Sequence, residues 1–430
     1  MGSSPGEQAA KTLCTRRAYY SARRAPVTGE VAGGAPLGHP ALPMAPDERR
    51  IAFLAFHDEA HAYHFGPVLF ELAGLPGARV DVFADAPLER LLREIGARYP
   101  ASSQPNFLTQ AKTLSARFRA LVRGDWSTRV LPWAHLPRLS REYDAIVLPC
   151  NYLRRRLRQV ARRRPLGERS AFVFVPHGGT RAAVPFAEGN DFALAYGAAM
   201  EQGFREAGLP CREVGYPKLD LPRRPAERLF AEVRPTVMYN PHWRVASSWA
   251  LWGERVLELF AASRDFNLVF APHVNLFTRR ADAAVLDRFR GLPNVHIDVG
   301  GPHLLDLSYA TVADVYLGDS SSQLYEVLAL RRRPCVFLDP HGLSLGATPP
   351  EKSVRLGPDG RVALRDGWRC GEVVTRFEEL PKALVRALTD PDAFAAVQEE
   401  ALAQQFVLTD VPSGRRGAEA ILEWSRLRRR

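Results

Sequence analysis

The chain has 430 residues and 46 % of them are hydrophobic, which is enough for two or three domains with a sizeable core. It carries no apolar stretch long enough to cross a bilayer and no signal-peptide pattern, so we expect a cytoplasmic protein. The five cysteines are scattered and form no CxxC pair, which argues against a disulfide framework and a structural zinc site. The net charge of +11 favours anionic partners, but no nucleic-acid-binding motif accompanies it.

The first part of the chain divides into a tail and a predicted domain. Residues 1–49 are rich in Gly, Pro, Ala and Ser without periodicity, which predicts a disordered tail. Residues 50–222 alternate apolar runs with helical stretches, which predicts a Rossmann-like domain, and the region 86–140 is expected to be mostly helical. The predicted strands are IAFLAF (51–56), RVDVFAD (79–85), DAIVLPC (144–150), AFVFVPH (171–177) and a short strand that opens the segment 191–208.

Arginine supplies nearly all the positive charge, and its densest cluster is LRRRLRQVARRR at residues 153–164. Leu153, Leu157 and Val160 fall at helical spacing, and arginines cover the other faces. We favour a surface helix whose aliphatic arginine stems pack against the protein. The alternative is contact with an anionic membrane surface, which would make the protein peripheral to the inner face of the cell membrane.

A second alternating series follows a linker at 223–235 and predicts a second Rossmann-like domain over 236–430. Its strands are predicted at 236–240, 267–273, 294–300, 313–319 and 334–339, and its helices at 247–263, 281–289, 304–310, 321–330, 377–389, 391–405 and 416–428. Together, the two series predict an α/β fold in which two doubly wound parallel-sheet domains face a cleft.

Polar residues stand where several of these strands end, the position at which open α/β sheets bind their ligands. His177 ends one strand and precedes Gly178, which allows a sharp turn and close approach of a ligand. A neutral imidazole there is suited to take a proton from an attacking hydroxyl, although a turn histidine bonded to backbone is the alternative.

Two further strand ends carry cationic or titratable side chains. His242 and Arg244 lie in YNPHWR, where the Arg244 guanidinium suits phosphate oxygens, and His273 ends NLVFAPH. If the strands 236–240 and 267–273 are neighbours, His242 and His273 lie close together. His273 then has a place to donate to a phosphate or to assist the leaving group.

The segment GDSSSQLYE, from Gly318 to Glu326, is the strongest single signal for anion binding. A helix start at about Ser321 offers unpaired backbone N–H groups and the positive end of the helix dipole. Serine hydroxyls there are suited to hold a diphosphate, and Glu326 is placed to accept from ribose hydroxyls, while a plain serine-rich helix cap is the alternative. The predicted binding residues of this segment are Asp319, Ser320, Ser321, Ser322 and Glu326.

The segment HDEAHAYH (57–64) has the histidine spacing of a metal motif, but Asp58 stands where a zinc protease needs Glu. We therefore predict no metal site and no cofactor. His57 ends the first strand and is expected to contact the acceptor in the cleft.

In their order, these motifs resemble those of the CDP-glycerol glycerophosphotransferases of teichoic-acid and capsule synthesis, over roughly residues 170–340. The resemblance implies the two-lobed GT-B fold, with the acceptor on the N-terminal lobe and the nucleotide donor on the C-terminal lobe. It implies His177 as general base on the acceptor hydroxyl, and Arg244, His273, Ser321 and Ser322 around the donor phosphates. The motifs that carry it are PHGGTR, VGYPKLD, YNPHWR, FAPH and GDSSSQLYE.

The resemblance implies transfer of glycerol phosphate from CDP-glycerol to a polyol-phosphate, glycan or lipid-linked acceptor. Departures from the family pattern, such as His242 in place of a threonine, leave another CDP-alcohol or a nucleotide sugar open as the donor. The alternatives are a nucleotide-sugar glycosyltransferase or UDP-sugar 2-epimerase-like enzyme of the same fold, and a non-catalytic protein that docks its arginines on a membrane or polyanion.

Overall fold

The computed structural model describes residues 47–55, 59–109, 136–149, 154–163, 168–178, 181–224, 229–243, 246–277, 282–319, 321–347 and 363–427. Three residues that carry sequence predictions, His57, Arg244 and Ser320, lie outside these ranges, as does nearly all of the tail predicted at 1–49. Among the described residues, no helix has both the length and the apolar character that crossing a membrane requires.

The first lobe is built on seven described parallel strands in the order β3-β2-β1-β4-β5-β6-β7. The strands are β1 Arg49–Ala55, β2 Ala78–Ala84, β3 Asn106–Thr109, β4 Ala145–Leu148, β5 Ala171–Phe174, β6 Phe192–Ala195 and β7 Cys211–Glu213. The helices are α1 Ala62–Ala73, α2 Ala86–Gly96, α3 Leu136–Glu142, α4 Arg154–Arg163 and α5 Ala198–Glu206.

Local sequence explains these elements well where the signal is strong. In β1, residues 51–55 are all buried, as expected for a central parallel strand covered on both faces. In α2, Asp85 caps the helix by accepting from the Leu88 backbone N–H at 3.1 Å. The predicted helical region 86–140 is wrong at β3, an edge strand of four residues that buries little and so has almost no apolar pattern.

The second lobe has six described parallel strands in the order β10-β9-β8-β11-β12-β13. The strands are β8 Thr236–Asn240, β9 Asn267–Phe270, β10 Val295–Ile297, β11 Val315–Gly318, β12 Cys335–Leu338 and β13 Glu372–Val374. The helices that follow β7 in the chain are α6 Trp249–Ala261, α7 Pro302–Leu305, α8 Ser308–Val312, α9 Gln323–Leu330, α10 Leu380–Thr389, α11 Ala395–Gln405 and α12 Ser413–Leu427.

Two predicted helices of the second lobe differ from the structure. The predicted helix 281–289 is a 3-10 segment over Asp282–Arg288. The predicted helix 304–310 is split into α7 and α8 at Leu307, whose φ of 66° is left-handed. The carboxylate of Asp306 accepts from the Ser308 backbone N–H at 3.0 Å, so side-chain bonding competes with the helix at this point.

The end of the chain packs on the first lobe. The ring of Trp424 in α12 stacks on Phe192 at 4.6 Å between centroids, and Ile421 is fully buried in the core that contains β1 and β6. The Ser413 N–H donates to Asp220 at 3.1 Å and so ties the start of α12 to the segment after β7. The predicted assignment of all of 236–430 to the second domain therefore does not fit α12, whose apolar face packs on α1 and on the first sheet.

Candidate active site

Both sheets reverse their strand order at one point, and ligands of doubly wound sheets bind at that point beyond the carboxyl ends of the strands. The reversal lies between β1 and β4 in the first sheet and between β8 and β11 in the second. His61 follows β1 and His177 follows β5, the neighbour of β4, whereas His242 follows β8 and Ser321 follows β11. The candidate residues thus surround the two positions at which this fold binds ligands.

His177 and His61 form the side of the site that belongs to the first lobe. Their rings lie 4.2 Å apart between centroids, and both side chains are half-buried. Burial lowers the pKa of His177 to about 4, because desolvation penalises the charged imidazolium. His177 is therefore neutral at pH 7 and able to accept a proton.

The turn at Gly178 lies close to the second lobe. Its φ of 81° lies in the left-handed region that glycine adopts without strain. A methyl group built at Gly178 would lie 3.6 Å from Ser322 Oγ, in the segment that follows β11. The loop that carries the candidate base therefore lies against the start of α9.

His242 and His273 form a second pair of imidazoles, on the second lobe. Their rings lie 4.9 Å apart, because β8 and β9 are hydrogen-bonded parallel neighbours. This confirms the expected proximity of the two histidines. The Asn275 N–H donates to His273 Nδ1 at 3.1 Å, so the proton of the neutral ring is on Nε2, which is then a donor.

Asp319 holds the loop after β8 in place. One carboxylate oxygen accepts from the His242 N–H at 2.9 Å, and the other accepts from the Ser248 N–H at 2.7 Å and from Ser248 Oγ at 2.9 Å. The residue is 2 % exposed. Asp319 thus links the end of β11 to the loop that carries His242, and we see its role as positioning that loop.

The start of α9 offers hydrogen-bond donors to an anion. Ser322 is the N-cap residue, and its side chain makes no capping hydrogen bond. Ser321 Oγ accepts from the Gln323 N–H at 3.2 Å, and Ser322 is half-buried. The N–H groups of Leu324 and Tyr325 donate to the carbonyls of Ser321 and Ser322 at 3.4 and 3.2 Å, so this segment offers an anion its serine hydroxyls and the positive end of the helix dipole.

Glu326 lies one turn further along α9 and is 4 % exposed. Its Oε1 accepts from Tyr216 Oη at 2.6 Å, and its Oε2 pairs with Lys218 Nζ at 2.8 Å. Tyr216 Oη also lies 2.7 Å from His64 Nδ1. The carboxylate that the sequence assigned to ribose hydroxyls is thus engaged by side chains that precede the second lobe.

The structure brings together most of the residues that the sequence singled out. Gly178 lies near Ser322, His242 lies beside His273, and Asp319 holds the loop that carries His242. Sequence reasoning had not assigned roles to His61, His64 or Tyr216. The only signal for the two histidines was their i, i+3 spacing in HDEAHAYH, which placed them on one face of a helix start.

No protein-family model matches the chain, and no curated protein matches it. A glycotransferase of kitacinnamycin is similar at a TM-score of 0.52 and 15 % identity, covering 88 % of this chain and 100 % of the other.

Two epimerases are also similar in structure. A putative UDP-N-acetylglucosamine 2-epimerase from Listeria monocytogenes has a TM-score of 0.53 and 14 % identity, with 87 % and 95 % of the two chains covered. The UDP-GlcNAc 2-epimerase from Neisseria meningitidis bound to UDP-GlcNAc has a TM-score of 0.51 and 12 % identity, with 87 % and 99 % covered. At these identities the likeness is one of fold. The predicted fold is confirmed: the chain has the two-lobed GT-B architecture.

Proposed function

We propose that the protein is an enzyme that binds a nucleotide-activated donor between its lobes and transfers the activated group to an acceptor hydroxyl. A nucleotide sugar is the donor class we favour. The short distance between Gly178, which follows the neutral His177, and Ser322 carries this proposal, since the serine hydroxyls would bind the donor phosphates near a base. The fold shared with a glycotransferase and with UDP-sugar epimerases supports it.

In the proposed step, the oxygen of the acceptor hydroxyl attacks the anomeric carbon of the donor while His177 takes the hydroxyl proton. A carbon–oxygen bond forms to the acceptor, the bond between the anomeric carbon and the phosphate oxygen breaks, and the nucleoside diphosphate leaves. The hydroxyls of Ser321 and Ser322, the Nε2–H of His273 and the positive end of the α9 dipole stabilise the charge on the leaving diphosphate.

A CDP-alcohol is the second candidate donor, and the order of the motifs in the sequence favours it. With that donor the acceptor oxygen attacks the phosphorus that bears the alcohol, and CMP leaves. The same base and the same anion-binding groups serve this reaction. The acceptor classes are then those expected from the sequence: a polyol-phosphate, a glycan or a lipid-linked acceptor.

Isothermal titration with UDP, CDP and GDP, followed by product analysis with UDP-sugars and CDP-glycerol, tests the proposal. We expect one nucleoside diphosphate to bind at micromolar concentration and its activated form to be turned over. If the product is an epimerised UDP-sugar and no group is transferred, the reaction is epimerisation and the proposed transfer is wrong. Absence of binding to all three nucleotides would contradict the proposal and favour the non-catalytic alternative.

Replacing His177 with Ala separates catalysis from binding. A positioned general base contributes roughly 10²–10⁴-fold to a rate, so turnover should fall by about that factor. Nucleotide affinity and the unfolding temperature should stay close to those of the wild-type protein, since the phosphates are held by the second lobe. Turnover at the wild-type rate would reject His177 as the base.

A further inference from the structure

A buried polar network joins the two lobes beside the candidate site. His64 lies in α1, Tyr216 and Lys218 follow β7, and Glu326 lies in α9. The four side chains form a continuous series: His64 Nδ1 to Tyr216 Oη at 2.7 Å, Tyr216 Oη to Glu326 Oε1 at 2.6 Å, and Lys218 Nζ to Glu326 Oε2 at 2.8 Å. All four residues are at most 9 % exposed. The first sheet and α9 are therefore connected without intervening solvent.

The hydrogens of this network have one consistent arrangement. The tyrosine hydroxyl has a single proton, which it donates to the carboxylate of Glu326. It has none left for His64, so His64 must carry its proton on Nδ1 and donate to Tyr216. Burial, together with the charge of Lys218, lowers the pKa of His64, so the ring is neutral and its Nε2 is an acceptor. The link from His64 to Glu326 depends on the Tyr216 hydroxyl, whereas the Lys218–Glu326 ion pair does not.

Packing fixes that hydroxyl in position. The ring of Tyr216 stacks on Phe406 with centroids 4.7 Å apart and planes at 3°, and Tyr196 covers it at 4.9 Å. A buried ion pair adds little to stability compared with apolar residues of the same size, whereas the loss of one partner is costly. We therefore expect such a network to fix a geometry rather than to stabilise the fold.

The network fixes the position of the start of α9 relative to His177, and the proposed function depends on that position. Glu326 lies four residues after Ser322, on the same face of α9. At the other end of the network, the rings of His64 and His61 lie 6.2 Å apart, and His61 contacts His177 at 4.2 Å. The network thus connects the helix start that would hold phosphates to the imidazole that would act as base.

We propose that Tyr216 and Glu326 are positioning residues, which set the start of α9 relative to His177 so that a nucleoside diphosphate is held at the reacting distance. Glu326 acts in this way through Tyr216 and Lys218 rather than as a ribose ligand. This inference rests on the proposed function. A displacement of about 1 Å at a reacting centre lowers rates by up to roughly 10²-fold, so removing one hydroxyl has a measurable effect.

The variant Tyr216→Phe removes the hydroxyl and keeps the stacked ring. The chain offers a matched control: Tyr143 Oη donates to Asp81 at 2.7 Å, and Asp81 pairs with Arg50 at 3.0 Å. That trio repeats the tyrosine–carboxylate–cation chemistry at the amino end of the first sheet, away from the candidate site. We expect Tyr216→Phe and Tyr143→Phe to lower the unfolding temperature alike.

Only Tyr216→Phe should weaken the binding of the nucleoside diphosphate that the wild-type protein binds, by about 10-fold or more, and lower turnover of its activated form by roughly 10–100-fold. Equal nucleotide affinity in the wild-type protein and Tyr216→Phe would overturn the inference while leaving the proposed function in place. If the wild-type protein binds none of UDP, CDP and GDP, both are rejected.

A second pair of variants tests the same inference if Tyr216→Phe does not fold. His64→Asn keeps an N–H donor near the position of Nδ1, whereas His64→Leu removes it at similar volume. We expect His64→Asn to bind nucleotide within about threefold of the wild-type protein and His64→Leu to lose roughly 10-fold. Equal affinities in these two variants would overturn the inference.

Discussion

Replacing Asp319 with Asn perturbs the loop that carries His242 without changing the shape of the side chain. The carboxylate accepts from the His242 N–H at 2.9 Å, and from both the N–H and the hydroxyl of Ser248 at 2.7 and 2.9 Å. An amide has one acceptor oxygen. If that oxygen faces Ser248, the amide NH₂ faces the His242 N–H, so one hydrogen bond is lost and two donors oppose each other.

A hydrogen bond to a charged group contributes about 1.5–3 kcal/mol, and a buried donor without a partner costs about 1–3 kcal/mol. We therefore expect Asp319→Asn to lower the free energy of unfolding by roughly 2–4 kcal/mol. The displaced loop should also weaken nucleotide binding, since His242 and His273 then lose their common position.

Asp339, at the end of the neighbouring strand β12, provides the control. Its carboxylate accepts from the N–H groups of Leu343 and Ser344 at 2.9 and 2.6 Å and from Ser344 Oγ at 2.7 Å, and it is 1 % exposed. Its loop carries none of the candidate site residues.

Urea unfolding should show similar losses of stability for Asp319→Asn and Asp339→Asn. Titration with the nucleoside diphosphate that the wild-type protein binds should show weaker binding in Asp319→Asn alone. Equal nucleotide affinities in the two variants would refute the assignment of the Asp319 loop to the site.

Three further predictions concern the pKa of His177 and the backbone conformation of Gly178. The pKa of His177 is about 4 in the folded protein and about 6.5 in the unfolded chain, so the unfolded chain takes up a proton first as the pH falls. The free energy of unfolding should therefore drop by at most about 2–3 kcal/mol between pH 6.5 and pH 4. Urea unfolding of His177→Gln should show a smaller dependence on pH over this range. For the same reason, the acidic limb of kcat/KM should lie below pH 6.5, and a limb at or above 6.5 would contradict the buried base. Gly178 and Gly208 both have left-handed φ angles, of 81° and 70°, but only Gly178 lies near Ser322. Gly178→Ala and Gly208→Ala should each lower the free energy of unfolding in urea by about 1–2 kcal/mol. Turnover should fall only in Gly178→Ala.

The architecture could be predicted because its signal is local. The central strands β1, β5, β8 and β11 each contain a continuous apolar run, since both faces of a parallel sheet are covered. The polar residues that end these strands stood out for the same reason. The strands that were missed, β3, β7 and β13, are short edge strands whose partly exposed residues lack that pattern. The return of α12 to the first lobe depends on which apolar face covers which, and periodicity alone does not contain that information.

The candidate site was partly predictable for a related reason. Strand-end positions placed His242 beside His273, because consecutive parallel strands are usually neighbours. The partners of Glu326 could not be predicted, because Tyr216 and Lys218 lie more than 100 residues away in the chain and meet it only when the lobes pack. The sequence around a glutamate one turn into a helix does not distinguish a glutamate that binds a ribose from one that pairs with a lysine.

The arginine-rich helix α4 has no part in the proposed reaction. Leu157 and Val160 are buried in the core beneath it, and Arg158 pairs with Glu188 at 2.8 Å. The apolar stripe of the helix is therefore packed, as the first interpretation of the sequence requires. Contact of its remaining arginines with an anionic membrane stays a prediction, which salt-sensitive binding to phosphatidylserine vesicles would test.

Hydrogen–deuterium exchange with each of UDP, CDP and GDP tests the central claim most directly. If a nucleoside diphosphate is held where the lobes meet, one of these ligands should protect amides in two separate segments at once, around 175–178 in the first lobe and 319–326 in the second. Protection of neither segment by any of the three, or protection confined to surfaces away from both, would contradict the account.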